Sequence, residues 1–185
     1  MSLPCDTIAA VLKCPPANVL KHWPLVESAL QASTDAYSDN VAVAALATIR
    51  VECPLFAPQK EKGGNSYYVS HYWENIAVRQ SLGNLSDVDA IRYPGRGFIQ
   101  LTGRWNYKHF GEKLGLDLVN FPEQAMEPEP AARIFALFFK ERGCIESANN
   151  RKWETLRKQV NGGQNGLEQF LYYITALERE MAPVP

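Results

Sequence analysis

The sequence predicts a mainly α-helical protein with one small extended element near its middle. Three observations carry this reading. Residues 39 to 53, and the stretches that begin at Pro130 and near Asn165, are apolar runs or stripes with helical spacing. The stretch "RYPGRGFIQLTGRWNY" (Arg92 to Tyr107) instead alternates apolar and polar residues, as a half-buried strand does. No repeat, low-complexity tract or long linker interrupts the 185 residues, so one domain with a sizeable core is expected, without a separate binding module.

Taken in order, Asp6 and Thr7 offer a cap for a short helix that must end before Pro15 and Pro16. A second helix is expected from about Ala17 to Ala32, with Pro24 bending or splitting it. "DNVAVAALATIRVEC" (39 to 53) reads as a strongly apolar helix starting at an Asp or Asn cap. Pro54 disfavours helical geometry at Cys53, which ends that helix almost at Glu52. From Pro54 to Pro94 the chain is rich in Gly, Asn, Ser and Tyr and shows little helical periodicity. A long excursion of short strands and turns is expected there, and excursions of that length tend to carry function. Further helices are expected from about Gly103 to Gly115, from Pro130 to the stop at Gly143, near Trp153 to Val160, and from about Asn165. In the last of these, Leu167, Phe170, Leu171, Ile174 and Leu177 form one stripe.

Composition narrows the function. An apolar content of 46 % with 21 % charged residues is that of an ordinary globular protein. A net charge of −1 offers no basic surface for nucleic acid and no simple attraction to an anionic polymer. The scattered His22, His71 and His109, and the lack of any paired cysteine motif, argue against a metal centre, and no cofactor motif is present. The N-terminal apolar run lacks a basic flank and stops at Lys13. Neither a secretory signal nor membrane insertion is therefore expected, and the protein should stay in the cytoplasm where it is made. Cys5, Cys14, Cys53 and Cys144 are accordingly expected as free thiols.

Glu52 is the most informative carboxylate. It stands at the negative end of a helix dipole after several apolar turns, where charge is disfavoured. Partial burial would push it further toward the protonated form that a general acid needs. The alternative is a glutamate snorkelling at the edge of a core helix. A partner carboxylate could be Glu74 in "HYWENI" or Glu61 in "QKEKGG", each of which also reads as a solvated loop charge. Alternation sends Ile99 and Leu101 into the core, and Phe98, Gln100 and Thr102 to the opposite face. There Gln100 and Thr102 offer donors and acceptors for hydroxyls or a water, unless the face is simply the polar side of an edge strand. "VNGGQNG" (Val160 to Gly166) likewise reads first as a helix–helix turn. Tyr67, Tyr68, Tyr72, Trp73, Tyr93, Trp105 and Tyr107 crowd the same region, some for the core and others suited to stacking on sugar rings.

"YPGRGFIQLTGRWNY" closely resembles the "YxGRGxIQLTxxxNY" signature of glycoside hydrolase family 19, which holds chitinases and many bacteriophage endolysins. The resemblance continues through "LGLDLVNFPEQAMEPEPAARIFALFF" and "VNGGQNGLEQFLYYI", with "ALATIRVEC" where the family has the helix ending in its catalytic acid. "LGN" (Leu82 to Asn84) and the "NGGxNG" form resemble the phage-type branch best. The resemblance implies a lysozyme-like fold of two helical lobes with a small β element beside the cleft. It implies Glu52 as acid, Glu74 as the base that activates water for inversion, with Glu61 as the alternative base, and Thr102 as a holder of that water. Gln100, Asn106, Asn161 and Tyr93 would contact substrate. The departures are "RVECPLF" around the acid, where the family often has His before the Glu and Ser/Thr-Gly-Gly after it, and a poorly matched excursion.

The function so implied is a monomeric endolysin that hydrolyses β-1,4 bonds of peptidoglycan after reaching the wall through a membrane lesion. A chitinase, a lytic transglycosylase and a wall-binding protein without catalysis are the alternatives. A cysteine peptidase using Cys53 is poorly supported, since no nearby His/Asn pattern accompanies it.

Overall fold

A computed structural model describes residues 3 to 182. The chain forms two compact units, one from Met1–Ala57 together with Phe135–Pro185 and the other from Pro58–Ile134. The mainly helical class with one small β element holds.

The first unit begins with α1 (Cys5–Leu12), α2 (Pro16–Ser33) and α3 (Asp39–Glu52). The expected cap at Asp6 or Thr7 is not used. The helix starts at Cys5 after Pro4, and Asp6 lies in its first turn, where a negative charge suits the dipole. Lys13 closes it in the left-handed region (φ 52°) before the two prolines. Helix α2 runs through Pro24 without splitting. Helix α3 is capped by Ser38, whose Oγ accepts from Val41 N–H at 3.3 Å, and not by Asp39 or Asn40. Every residue from Val43 to Ile49 is buried, so α3 is the unit's central helix. It lies against α9 (Cys144–Asn149), α10 (Trp153–Asn161) and α11 (Leu167–Met181). Leu12, Leu30, Ile49, Phe139, Phe170 and Leu177 fill this core, each fully buried apolar side chain contributing about 1.5–3 kcal/mol. The α11 stripe is as expected at Phe170, Ile174 and Leu177, while Leu171 is only half-buried and Tyr173 takes a core place.

The second unit holds β1 (Gln59–Lys60), α4 (Asn65–Val69), a π-helical turn (Ser70–Glu74), α5 (Ile76–Leu82) and α6 (Asp87–Arg92). It continues with β2 (Arg96–Gly97), α7 (Arg104–Leu114) and a 3₁₀ turn (Pro122–Met126). Helix α8 (Pro128–Glu141) starts here, two residues before the expected Pro130, and crosses into the first unit. The excursion expected as strands and turns is thus mostly helical. Its pieces are five to seven residues long, too short to show a hydrophobic period. Two of them depend on local caps: Asn75 Oδ1 accepts from Val78 N–H and Gly83 turns left-handed to end α5, and Ser86 Oγ accepts from Asp89 N–H at the start of α6.

The alternating segment is also corrected. It is a tight hairpin, not a strand running from Phe98 to Thr102. Arg96 and Leu101 exchange backbone hydrogen bonds of 3.1 and 2.8 Å, which makes 97–100 the turn between them. Gly97 (φ 87°) and Gln100 (φ 52°) take left-handed geometry, and that rotates the side chains out of the period of two. Phe98 is therefore buried and Ile99 only half-buried, while Leu101 enters the core as expected. Strands β1 and β2 pair antiparallel, Gln59 opposite Gly97 and Lys60 opposite Arg96.

Candidate active site

In the first unit, α3 delivers Glu52 to its C-terminal end. The side chain is 23 % exposed, and its Oε1 accepts from Arg157 Nη1 at 2.6 Å. Arg157, on α10, is almost wholly buried, and its Nε donates to Asn165 O at 2.7 Å. Glu52 is thus neither a snorkelling edge charge nor a carboxyl in a purely apolar setting, because a buried cation faces it. Sequence reasoning did not find Arg157, for the pair is separated by 105 positions.

Asn161 does not point its polar groups outward as a substrate contact would. Its Nδ2 donates to Asn165 O at 2.7 Å and its Oδ1 accepts from Gly163 N–H at 2.9 Å. Both bonds staple the "NGGQNG" turn that presents Asn165 O to Arg157. A Cβ at Gly166 would come within 2.9 Å of Val51 and 3.2 Å of Arg157, so glycine allows that close approach.

The residues around Glu52 are accounted for structurally. Arg50 donates from Nε to Leu12 O and lies over the Tyr173 ring. Cys53 is buried, and burial, followed by the charge of Glu52, pushes its thiol up to about 12. A thiol held neutral this way is a poor nucleophile, which removes the peptidase reading. All four cysteines are free.

In the second unit a polar group assembles around Gly95 at the foot of the hairpin. Glu61 follows β1, and its Oε1 accepts from Tyr72 Oη at 2.6 Å while Oε2 accepts from Gly95 N–H at 3.1 Å. Its main chain is held as well: N–H donates to Gly95 O at 2.8 Å, and O accepts from Tyr68 Oη at 2.8 Å. A Cβ built on Gly95 would stand 2.7 Å from Gln100 Oε1 and 3.1 Å from Thr102 Oγ1. Glu61, Gln100 and Thr102 therefore share one small space, with Gly95 at its centre.

The roles expected for these side chains become narrower. Gln100 Nε2 donates to Gln59 O and Gly97 O, so its amide N–H groups serve the hairpin and its Oε1 is the group beside Gly95. Thr102 Oγ1 donates its proton to Gln100 O at 2.7 Å and is left with acceptor capacity. Asn106 Nδ2 donates to Thr102 O at 2.7 Å and so steadies Thr102.

Glu74 is exposed at the end of the π-helical turn, and among the described residues no hydrogen bond or ion pair holds its carboxylate. Tyr93 is a core residue, 1 % exposed, with its hydroxyl donating to Val119 O at 2.9 Å, and it is not available for stacking on a sugar. Tyr68 and Tyr107 are buried too. Of the aromatics expected around these segments, Trp105 (55 % exposed) and Tyr67 (39 % exposed) are the most accessible, and Trp105 stacks on His109 at 4.8 Å. Among the described residues no cluster of His, Cys, Asp or Glu could hold a metal ion, and no helix is long and apolar enough to cross a membrane.

Comparison with known proteins gives related answers from sequence and fold. Over 97 residues, 50 % of this chain, the sequence is 34 % identical to a glycosyl hydrolase family 19 domain-containing protein of Haemophilus influenzae, of which it covers 44 %. Over 47 residues, 25 % of this chain, it is 47 % identical to Chitinase 11 of Oryza sativa subsp. japonica, covering 18 % of it. The chain thus spans less than half the length of the curated relatives it matches. In fold it is similar to chitinase C from Streptomyces griseus HUT6037, with a TM-score of 0.65 at 19 % identity, over 95 % of this chain and 75 % of that one. A bacterial family 19 chitinase gives a TM-score of 0.56 at 20 % identity, over 81 % and 85 % of the two chains. No protein-family model matches.

Proposed function

We propose, from a chain that resembles glycoside hydrolase family 19 in its motifs and its fold, that this protein hydrolyses β-1,4 glycosidic bonds in an N-acetylglucosamine-containing glycan. The observation that carries the reading is the gathering of Glu61, Gln100 and Thr102 about Gly95. A carboxylate held by two donors, beside a hydroxyl committed to accepting, is suited to orient and deprotonate a water.

In this reading Glu61, and not Glu74, is the general base. Water donates one hydrogen bond to Thr102 Oγ1 and the other to Glu61, which turns its lone pair toward the anomeric carbon. Glu61 takes the proton as the water's oxygen bonds to that carbon, and Glu52 gives its proton to the departing glycosidic oxygen. Direct displacement inverts the anomeric centre. As Glu52 becomes a carboxylate, Arg157 meets the new charge without having to move. Asn161, through Asn165 O, keeps Arg157 in place.

The substrate proposed is peptidoglycan, cleaved by a phage-type endolysin that acts as a monomer on the wall after release through a membrane lesion. "LGN" and the "NGGQNG" turn support this branch. A chitinase is the second reading, favoured by the names of the solved structures it resembles. Digestion of purified peptidoglycan and of chitin oligomers, with mass spectrometry of the new ends, separates them. New reducing N-acetylmuramic acid or N-acetylglucosamine ends from peptidoglycan are the expected result. Cleavage of chitin oligomers alone would favour the chitinase, anhydro-sugar ends would mean a transglycosylase, and binding without release of sugar would sink the enzyme reading.

A further inference from the structure

Three tyrosines converge on one residue. Tyr72 Oη donates to the Glu61 carboxylate at 2.6 Å, Tyr68 Oη donates to its main-chain oxygen at 2.8 Å, and the Tyr67 hydroxyl lies near the same carboxylate. Their placement follows from the backbone. Helix α4 passes directly into the π-helical turn Ser70–Glu74, which widens the last turn before Asn75 leaves it. Such widened turns recur at functional sites because they displace a side chain from the regular helical position. Tyr68 and Tyr72 stack with rings 6.4 Å apart and 10° from parallel, so both hydroxyls reach the same neighbour. Buried Asn84 fixes the turn from behind: its Nδ2 donates to Tyr72 O at 3.1 Å and its Oδ1 accepts from Arg104 N–H at 3.0 Å.

We propose that Tyr72 is a positioning residue for Glu61, carried on the π-helical turn so that its phenol fixes the orientation of the base. This rests on the reading of Glu61 as base. Half-buried Tyr72 keeps its own proton, because burial and the hydrogen bond to Glu61 push its phenol up. It is therefore a donor throughout the working pH range, and a donor to a carboxylate favours the charged form that can accept a proton. The other ionisable groups that feel the Glu61 charge are Tyr67 and Tyr68 on α4 and Tyr107 on α7, while Arg96 on β2 and Lys60 on β1 act on Tyr68. Tyr68 differs from Tyr72 in touching only the main-chain oxygen, which makes it the structural control.

The test is the pH profile of kcat/KM for the full chain on a soluble glycan fragment, for the wild type and for Tyr72→Phe, Tyr68→Phe and Glu61→Gln. Tyr72→Phe should lower kcat roughly ten- to a hundredfold, the worth of one hydrogen bond to a charged group, with little change in KM. It should also move the acid limb to higher pH, since a carboxylate that loses a donor keeps its proton longer. Tyr68→Phe should lose stability and leave the acid limb in place. Should Tyr72→Phe not fold, 3-fluorotyrosine introduced at position 72 keeps the shape and strengthens the donor, and the limb should then move to lower pH. An unmoved limb with kcat within about twofold of wild type, while Glu61→Gln is inactive, would overturn the role of Tyr72 and leave Glu61 as base. Equal movement in Tyr68→Phe would overturn it as well. An active Glu61→Gln would remove both readings together.

Discussion

Arg157 donates to Glu52 at 2.6 Å from a position where only 4 % of its side chain is exposed. Among the described residues that guanidinium meets the Glu52 carboxyl and the carbonyl of Asn165. Removing it takes a buried donor from Glu52 and one of the two donors from Asn165 O, to which Asn161 still donates. Arg157→Ala should therefore cost about 3 kcal/mol of stability, at the low end for a broken buried pair because Glu52 keeps some contact with water. Urea denaturation reads that loss. Glu52→Gln should lower kcat by about 10²–10⁴-fold, the usual worth of a general acid, and lose some stability because Arg157 then faces a neutral amide.

The two candidate bases separate cleanly. Glu61→Gln should lose about 10²–10⁴-fold in kcat, and Glu74→Gln should stay within about threefold of wild type. Initial rates on a soluble oligosaccharide decide the matter, and the opposite order would return the base to Glu74.

Tyr93 and Trp105 make a paired comparison. Tyr93→Phe removes a buried hydroxyl bonded to Val119 O and should cost about 1 kcal/mol of stability with KM unchanged. Trp105→Ala removes a half-exposed ring and should barely alter the thermal midpoint. If a sugar stacks there, KM rises about fivefold, from a contact of roughly 1 kcal/mol. A rise in KM for Tyr93→Phe would contradict its place in the core.

Alkaline pH should destabilise the protein through its buried thiols. Burial pushes Cys53 and Cys144 up to about 12 from an ordinary value of 9.0. Their folded values are raised, so their contribution is fully present below pH 9. Above that the unfolded chain gives up its thiol protons first, and the contribution is lost as pH rises toward 12. The urea midpoint should fall between about pH 9 and 11, and less steeply in Cys53→Ala. That variant should also remain active, in keeping with an unreactive thiol.

Elements that carry their own signal were legible in the sequence. The end of α3 follows from Pro54, the core face of α11 from its stripe, and the ends of α7 from Gly103 and Gly115. The region from 54 to 94 was not, because each of its helices is shorter than two full turns, and α5 and α6 are fixed by single capping side chains. The hairpin misled for a different reason. Its alternation is real in the letters, but left-handed Gln100 breaks the pleat on which a period of two depends. At the candidate site, Glu52, Gln100 and Thr102 could be singled out by position and motif. Arg157 could not, since a lone arginine in "LRKQV" says nothing about a partner 105 residues away. Glu61 and Glu74 looked alike as loop glutamates, and what distinguishes them is the tyrosines that fold back onto one and not the other.

The interrupted chain of the first unit has a consequence for the order of events at the ribosome. Pro58–Ile134 is one continuous stretch and can fold as soon as it emerges, whereas the unit containing α3 waits for residues beyond Phe135. Folding of nascent chains proceeds from the N-terminus as segments complete, and non-local pairings come late. Glu52 is synthesised early, but the buried cation that balances it arrives more than a hundred residues later. The hairpin and its carboxylate can thus be finished while the acid's surroundings are still being made, and the chain gains its second carboxylate setting only once α10 has been synthesised.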